Sequence, residues 1–325
     1  MDVLNQVITD KYALYNGDCV EVVSSLKDDS VDFSIFSPPF ASLYTYSNSD
    51  RDMGNCTDND DFFAHFSFLV EQLYRVIRPG RLVAIHCMNL PSSKQNDGFI
   101  GLKDFRGELI RKFQEYGFIF HSEVCIWKDP VVAMQRTKAI GLLHKQLKKD
   151  SALSRQGIPD YLVVMRKPGE NTKPIAGELK YFVGDELMRN FREIVRHDGR
   201  VAQIPNGNGS SVIDIWQRYA SPVWHDINQS NTLNFREGRE SDDERHICPL
   251  QLDVIERALQ LWSNPGDVVL TPFLGIGSEA YCAISCGRRA IGVELKESYF
   301  NLAVRNLKSA ETQQYDLFGS DEVVR

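Results

Sequence analysis

The chain lacks any apolar run near the ~18 residues that a membrane-spanning helix needs. Its start, Met1-Asp2-Val3-Leu4-Asn5, has no signal-peptide character, so a cytoplasmic protein is expected. Its seven cysteines show no repeating spacing. Cys282 and Cys286 stand four apart on a predicted helix, but no histidine or second cysteine pair accompanies them. Structural thiols in a reducing compartment are therefore expected, and no metal site. Positive charge is in deficit, the net charge being −7, and no internal repeat is visible. With 325 residues, 42% hydrophobic and 25% charged, the composition is that of an ordinary globular chain. It is long enough to bury a sizeable core and is expected as one large domain with an inserted subdomain.

The charge deficit is uneven. Between Met134 and Lys167 lie Arg136, Lys138, Lys145, Lys148, Lys149, Arg155, Arg166 and Lys167 against only Asp150 and Asp160. That stretch is +6, and the rest of the chain carries −13. A local basic band suits phosphate contacts, with Arg136, Lys138, Lys145, Lys148 and Arg155 as the candidates. It also suits a solvated helix face, because Gly141 to Lys149 is amphipathic at helical spacing.

Strand and helix signals alternate, which predicts an α/β fold with a largely parallel sheet. Expected strands are Tyr12–Tyr15, Val31–Phe36, Arg81–Met88, Phe118–Trp127, Tyr161–Met165, a strand ending at Leu270, and Ala290–Glu294. Expected helices follow Gly17-Asp18 to about Leu26, run from Asp60 or Asp61 through Arg78 to Pro79-Gly80, and cover Asp104–Tyr116, Pro249–Trp262, Ser278–Cys286 and Ser298–Leu307. From Lys167 to about Asn234 the pattern loosens, which marks the inserted region. The expected division is 11–167 and 235–309 for the two parts of the main domain, 168–234 for the insertion and 310–325 for a flexible tail.

Two distant segments each follow a strand. Ser37-Pro38-Pro39-Phe40 comes after Val31–Phe36, and Thr271-Pro272-Phe273-Leu274-Gly275-Ile276-Gly277 after Asp267–Leu270. Both therefore sit at carboxyl ends of strands, where open α/β sheets place their ligands. Gly275 and Gly277, between strand and helix, let the backbone approach a ligand without Cβ interference. About seventeen residues on, the next strand ends in Glu294, which can accept both hydroxyls of a ribose. A nucleoside-type cofactor is implied. The third glycine of the dinucleotide pattern is absent, because position 280 is Ala280.

The glycine segment with Ile291-Gly292-Val293-Glu294 resembles the S-adenosylmethionine motif of amino-group DNA methyltransferases. Gly17-Asp18 followed by Ser37-Pro38-Pro39-Phe40 resembles the opening of that family, and His246-Ile247-Cys248-Pro249-Leu250-Gln251 its lead-in segment. Catalytic motif first and cofactor motif last is the order of the permuted β group. The likeness covers roughly Tyr12–Val164 and Trp216–Leu307. It implies a permuted Rossmann-like methyltransferase sheet with an inserted target-recognition subdomain, in a bacterium or its phage. It further implies that Phe273, Gly275 and Gly277 hold the cofactor's methionine end, with Pro272 and Ser278 also binding the cofactor. By the same likeness Glu294 holds the ribose, Asp18 lies near the adenine, and His246 and Gln251 lie near the cofactor's tail. Thr271 stands where the family usually has Asp, and Ser278-Glu279 where it often has Thr.

An exocyclic amino group is a poor nucleophile because its lone pair is delocalised into the base. Acceptors on its two hydrogens, Ser37 Oγ and the Pro38 carbonyl, can draw the nitrogen toward tetrahedral geometry and free that pair. Pro39 stiffens the turn, and Phe40 offers a stacking face worth about 1–3 kcal/mol to a base flipped from duplex DNA. By the resemblance, Ser in the first position points to cytosine N4, and Asp or Asn would point to adenine N6. The Pro-Cys pair of enzymes that methylate cytosine carbon 5 is absent. Rival readings are methylation of an RNA base or a protein amide, and a DNA-binding relic without activity. Tyr44 and Tyr46 are candidate base-stacking residues. Gln314-Tyr315-Asp316-Leu317-Phe318 resembles the short peptides that bind bacterial sliding clamps, and a homodimer is a further expectation of the family.

Overall fold

The computed structural model describes residues 3–39, 53–56, 59–92, 98–137, 144–152, 156–176, 193–195, 201–203, 218–234 and 249–319. Strands β1 (Asn5–Ile8) and β2 (Tyr12–Asn16) form an antiparallel hairpin. Asp18 then caps α1 (Cys19–Ser24), its carboxylate accepting from the Val20 and Glu21 N–H groups. β3 (Val31–Phe36) is buried along its whole length, as a central parallel strand must be. Its two polar residues are satisfied: Ser34 Oγ donates to the Leu270 carbonyl, and Asp32 accepts from the Val268 N–H.

Next come α2 (Asn59–Val76), β4 (Ile77–Cys87), the small hairpin of β5 (Leu90–Ser92) and β6 (Gly101–Lys103), α3 (Phe105–Glu115) and β7 (Ile119–Ile126). The α2 helix stops before the expected Arg78, because β4 begins pairing with β3 at Ile77. Short helices α4 (Pro130–Thr137) and α5 (His144–Lys149) precede β8 (Asp160–Arg166). The hairpin of β9 (Glu193–Val195) and β10 (Val201–Gln203) lies in the expected insertion, and β11 (Val223–Trp224) returns to the main sheet. The chain ends with α6 (Leu252–Trp262), β12 (Val268–Thr271), α7 (Ser278–Ser285), β13 (Arg289–Glu294) and α8 (Glu297–Gly319).

Nine strands form one sheet in the order β1-β2-β13-β12-β3-β4-β8-β7-β11. The five from β2 to β4 are mutually parallel, and β8 runs antiparallel to both its neighbours. One face packs on α6, α7 and α8 through residues such as Val254, Ala283 and Phe300. The other packs on α1, α2 and α3 through Val22, Phe66 and Leu109. From β12 the chain moves to β13 on one side, and from β3 to β4 on the other. The two strands are neighbours, so a crevice opens at their carboxyl ends.

Two expected boundaries need correction. Residues 310–319, expected in the flexible tail, continue α8, with Ala310 buried in the same core as Leu307. Residues 218–234, expected in the insertion, belong to the main domain. Trp224 is fully buried, and Arg257 of α6 makes a two-pronged ion pair with Asp226 at 2.9 and 2.7 Å. No described helix is long and apolar enough to cross a membrane.

Candidate active site

The sheet register brings Ser37, just past β3, level with His86 near the end of β4, since Phe36 pairs with Ile85. In β8, which runs the other way, Asp160 is the first residue, and Lys128 lies two past the end of β7. Side chains alternate across a strand. Phe33 and Ile35, Ala84, Leu162 and Ile126 all point into one core, so Ser37, His86, Asp160 and Lys128 project on that same face. Four residues from four strand ends thus meet at one edge of the sheet.

Ser37 Oγ lies 2.9 Å from His86 Nδ1. His86 Nε2 lies 3.1 Å from Asp160 Oδ2, and Asp160 Oδ1 lies 2.5 Å from Lys128 Nζ. Both of the latter contacts are at ion-pair distance. Burial opposes the charge on Asp160. His86 and Lys128 outweigh it and hold the carboxyl below its ordinary range. Sequence reasoning missed these three residues, although polar groups closing apolar strands at a ligand-binding edge were a usable signal. Pro38 is buried and Pro39 half-buried beside Ser37, whereas Phe40, Tyr44 and Tyr46 lie outside the described residues.

Across the crevice, Gly275 has φ +54° and open space where a Cβ would stand. Gly277 has φ +94°, and a Cβ there would meet Leu307 and Ala303 of α8 at 3.0 and 3.1 Å. The first glycine leaves room for a ligand, and the second lets α8 pack closely. Glu294 braces the turn: its Oε2 accepts from the Gly275 N–H at 2.7 Å and its Oε1 from the Lys296 N–H at 2.8 Å. Gly17 N–H donates to the Glu294 carbonyl at 3.0 Å, which sets Asp18 beside that strand end. Phe273 is anchored between the rings of Phe36 and Phe66. Pro272 is buried. Among the described residues, Ser278 Oγ, Gln251 Oε1 and Asn16 Oδ1 are buried without a hydrogen-bond partner, and a polar ligand would complete them. His246 lies outside the described residues.

Among the basic candidates, Lys145 and Lys148 are exposed on α5, a helix with no buried residue. That helix belongs to the excursion between β7 and β8, which leaves and re-enters the sheet at the Ser37 edge. Arg136 lies on α4, where the backbone alone is described, and Lys138 and Arg155 lie outside the described residues.

Glu279, in the first turn of α7, carries a testable consequence. Burial pushes its carboxyl from about 4.5 up to about 8, against a small opposing effect of its own backbone N–H. The native chain then binds more protons than the unfolded one between those values, so stability falls as pH rises through that window. At about 1.4 kcal/mol per pH unit the loss by pH 7 is about 3 kcal/mol. In thermal melts without cofactor, Glu279→Gln is expected to melt several degrees above wild type at pH 8, the difference vanishing near pH 5. Identical pH slopes would refute a buried, proton-binding Glu279.

The family model described as DNA methylase, for N6 and N4 methyltransferases, matches residues 31–305. The orphan methyltransferase M.BamHII of Bacillus amyloliquefaciens is 23% identical over 292 residues, covering 88% of this chain and 91% of that one. The Type II methyltransferase M.BglII of Bacillus subtilis is 23% identical over 314 residues, covering 96% and 73%. Among solved structures, the cytosine-N4-specific PvuII DNA methyltransferase shares the fold with a TM-score of 0.60 at 15% identity, over 97% of this chain and 95% of that one. A Thermus thermophilus protein solved with S-adenosyl-L-methionine superposes with a TM-score of 0.59 at 21% identity, over 92% and 95%. The open space at Gly275, the Glu294 carboxylate and the unpartnered buried oxygens fit that cofactor. A match across most of the chain, on this sheet and with this pair of motifs, leads to one assignment: the protein belongs to the N6/N4 family of DNA methylases, enzymes that take a methyl group from S-adenosylmethionine.

Proposed function

We propose that the chain methylates the exocyclic amino group of a base flipped out of duplex DNA, and that the base is cytosine, methylated at N4. The observation that carries this reading is the placement of Ser37 and Pro38 at the end of β3, beside the glycine turn that ends β12. When bound, S-adenosylmethionine supplies an electrophilic methyl group on a sulfonium. Glu294, Ser278 and Gln251 hold and orient it, and the open face of Gly275 admits it. Ser37 Oγ and the Pro38 carbonyl accept the two amino hydrogens, so the nitrogen lone pair turns toward the methyl. Catalysis then comes mainly from positioning.

Lys145 and Lys148 contact phosphates on the excursion beside the Ser37 edge of the sheet, and Arg136, Lys138 and Arg155 are further candidates for phosphate contact. Within the insertion, residues 168–217 read sequence. A sliding clamp, bound through Gln314–Phe318, and a second copy of the chain are the candidate protein partners. Adenine N6 is the second reading, because the same pair of acceptors suits either amino group. Incubation with unmethylated duplex DNA and S-adenosylmethionine, followed by nucleoside mass spectrometry, is expected to yield N4-methylcytosine. N6-methyladenine would correct the base and keep the mechanism, and no modified nucleoside would overturn the reading.

A further inference from the structure

We propose that His86, oriented by Asp160 and Lys128, receives through Ser37 the proton that the target amino group sheds on methylation. This rests on the amino-methylation reading above, for either base. Ser37 Oγ must accept a hydrogen from the base, so its own hydrogen needs another acceptor. The only side-chain partner placed at hydrogen-bond distance from it among the described residues is His86 Nδ1, at 2.9 Å.

The tautomer of His86 decides whether Nδ1 can accept. A neutral imidazole carries one proton, and the group facing each nitrogen selects its site. Nε2 faces the buried carboxylate of Asp160 at 3.1 Å, and that carboxylate is fixed on its other side by Lys128. A carboxylate accepts and cannot donate, so the proton belongs on Nε2 and Nδ1 presents a lone pair. Ser37 O–H then donates to Nδ1 and leaves both oxygen lone pairs facing the base.

The titratable and charged groups placed around His86 are Ser37 after β3, Asp160 on β8 and, through Asp160, Lys128 after β7. Its chain neighbour Cys87, and Tyr161, which pairs with Cys87, point to the opposite face.

The proton balance closes on these residues. The amino lone pair forms the new N–C bond while the C–S bond breaks and its electron pair stays on sulfur. The nitrogen is left with a positive charge and one hydrogen too many. That proton passes to Ser37 Oγ as the serine hydrogen moves to His86 Nδ1. The products are a neutral methylated base and an imidazolium paired with Asp160, which releases its proton to solvent when the site opens. His86 and Asp160 act through Ser37 and are positioning residues.

The test combines two measurements on the full chain. In the first, ¹⁵N-histidine NMR of wild type without cofactor, assigned with His86→Gln, is expected to show the His86 proton on Nε2. A proton on Nδ1 would overturn the proposal. The second is single-turnover methyl transfer at saturating S-adenosylmethionine and duplex DNA, from about pH 5.5 to 9. Wild type is expected to lose rate on the acid side with the titration of one proton. His86→Gln should keep cofactor affinity by calorimetry, transfer about 10²-fold more slowly and lack that acidic limb. Asp160→Asn should be about tenfold slower, because the carboxylate that holds the proton on Nε2 is gone.

A His86→Gln variant with the wild-type rate and the same acidic limb would overturn the proposal. Should that variant not fold, Asp160→Asn and the wild-type profile decide it, and a wild type with no acidic limb counts against the relay. Absence of transfer by wild type would refute the amino-methylation reading itself, so the two failures are distinct.

Discussion

Ser37→Ala is expected to slow methyl transfer about 10²- to 10³-fold while S-adenosylmethionine binds as in wild type. Ser37 stands at the end of a fully buried strand, with its hydroxyl tied to His86 at 2.9 Å, so its position is set before any base arrives. Removing the hydroxyl removes an acceptor needed only as the amino nitrogen turns tetrahedral, a loss that falls on kcat rather than on binding. The cofactor contacts assigned to Gly275, Ser278 and Glu294 lie on other elements and should be untouched. Single-turnover rates, with calorimetric cofactor affinity alongside, measure this. A Ser37→Ala enzyme within threefold of wild type would remove Ser37 from the mechanism. A parallel loss of cofactor affinity would make Ser37 a binding residue instead.

The largest expected loss of stability lies at the opposite edge of the sheet. Arg81 is fully buried near the start of β4, 2.9 Å from Asp267 and 3.4 Å from Asp32. Arg78 Nε reaches Asp32 at 3.1 Å, and Lys173 reaches Asp267 at 2.5 Å. Asp32 also accepts from the Val268 N–H and Asp267 from the Asn264 N–H. This network ties together β3, β4 and the turn before β12, and so holds the two strands of the crevice, β3 and β12, side by side.

Arg81→Ala leaves two buried carboxylates without their central partner and is expected to cost about 3–5 kcal/mol. Denaturant unfolding measures it. Combining Arg81→Met with Asp267→Asn should recover part of the loss, because the uncompensated charge is the costly element. A loss below about 1 kcal/mol for Arg81→Ala would show that Arg78 and Lys173 suffice to balance the acids.

The strands that carry the site were legible because burial on both faces demands long apolar runs, and Val31–Phe36 and Val268–Thr271 are such runs. The glycine turn was legible for a local reason as well: Gly275 and Gly277 adopt positive φ, which few other residues tolerate. The short β11 was not legible. Two residues give no period, and Val223–Trp224 is a strand only because β7 is there to pair with it. Nor did the polar sequence beyond Leu307 announce that α8 continues, since packing of Ala310 against the core supports the extra turns.

By itself, then, the sequence determined the elements whose physics is local: which runs become buried strands, where the chain turns on glycine or proline, and which motifs close those strands. Those features decided the fold class, the family and the cofactor. The tertiary structure alone decided what stands behind Ser37. His86 is 49 residues away along the chain, and Asp160 and Lys128 are further still. They meet because β4, β8 and β7 pair in one register, in which a slip of one residue would turn His86, Asp160 or Lys128 to the other face. Register between distant strands is a property of the assembled sheet, set by packing on both its faces, and no local pattern in the chain encodes it.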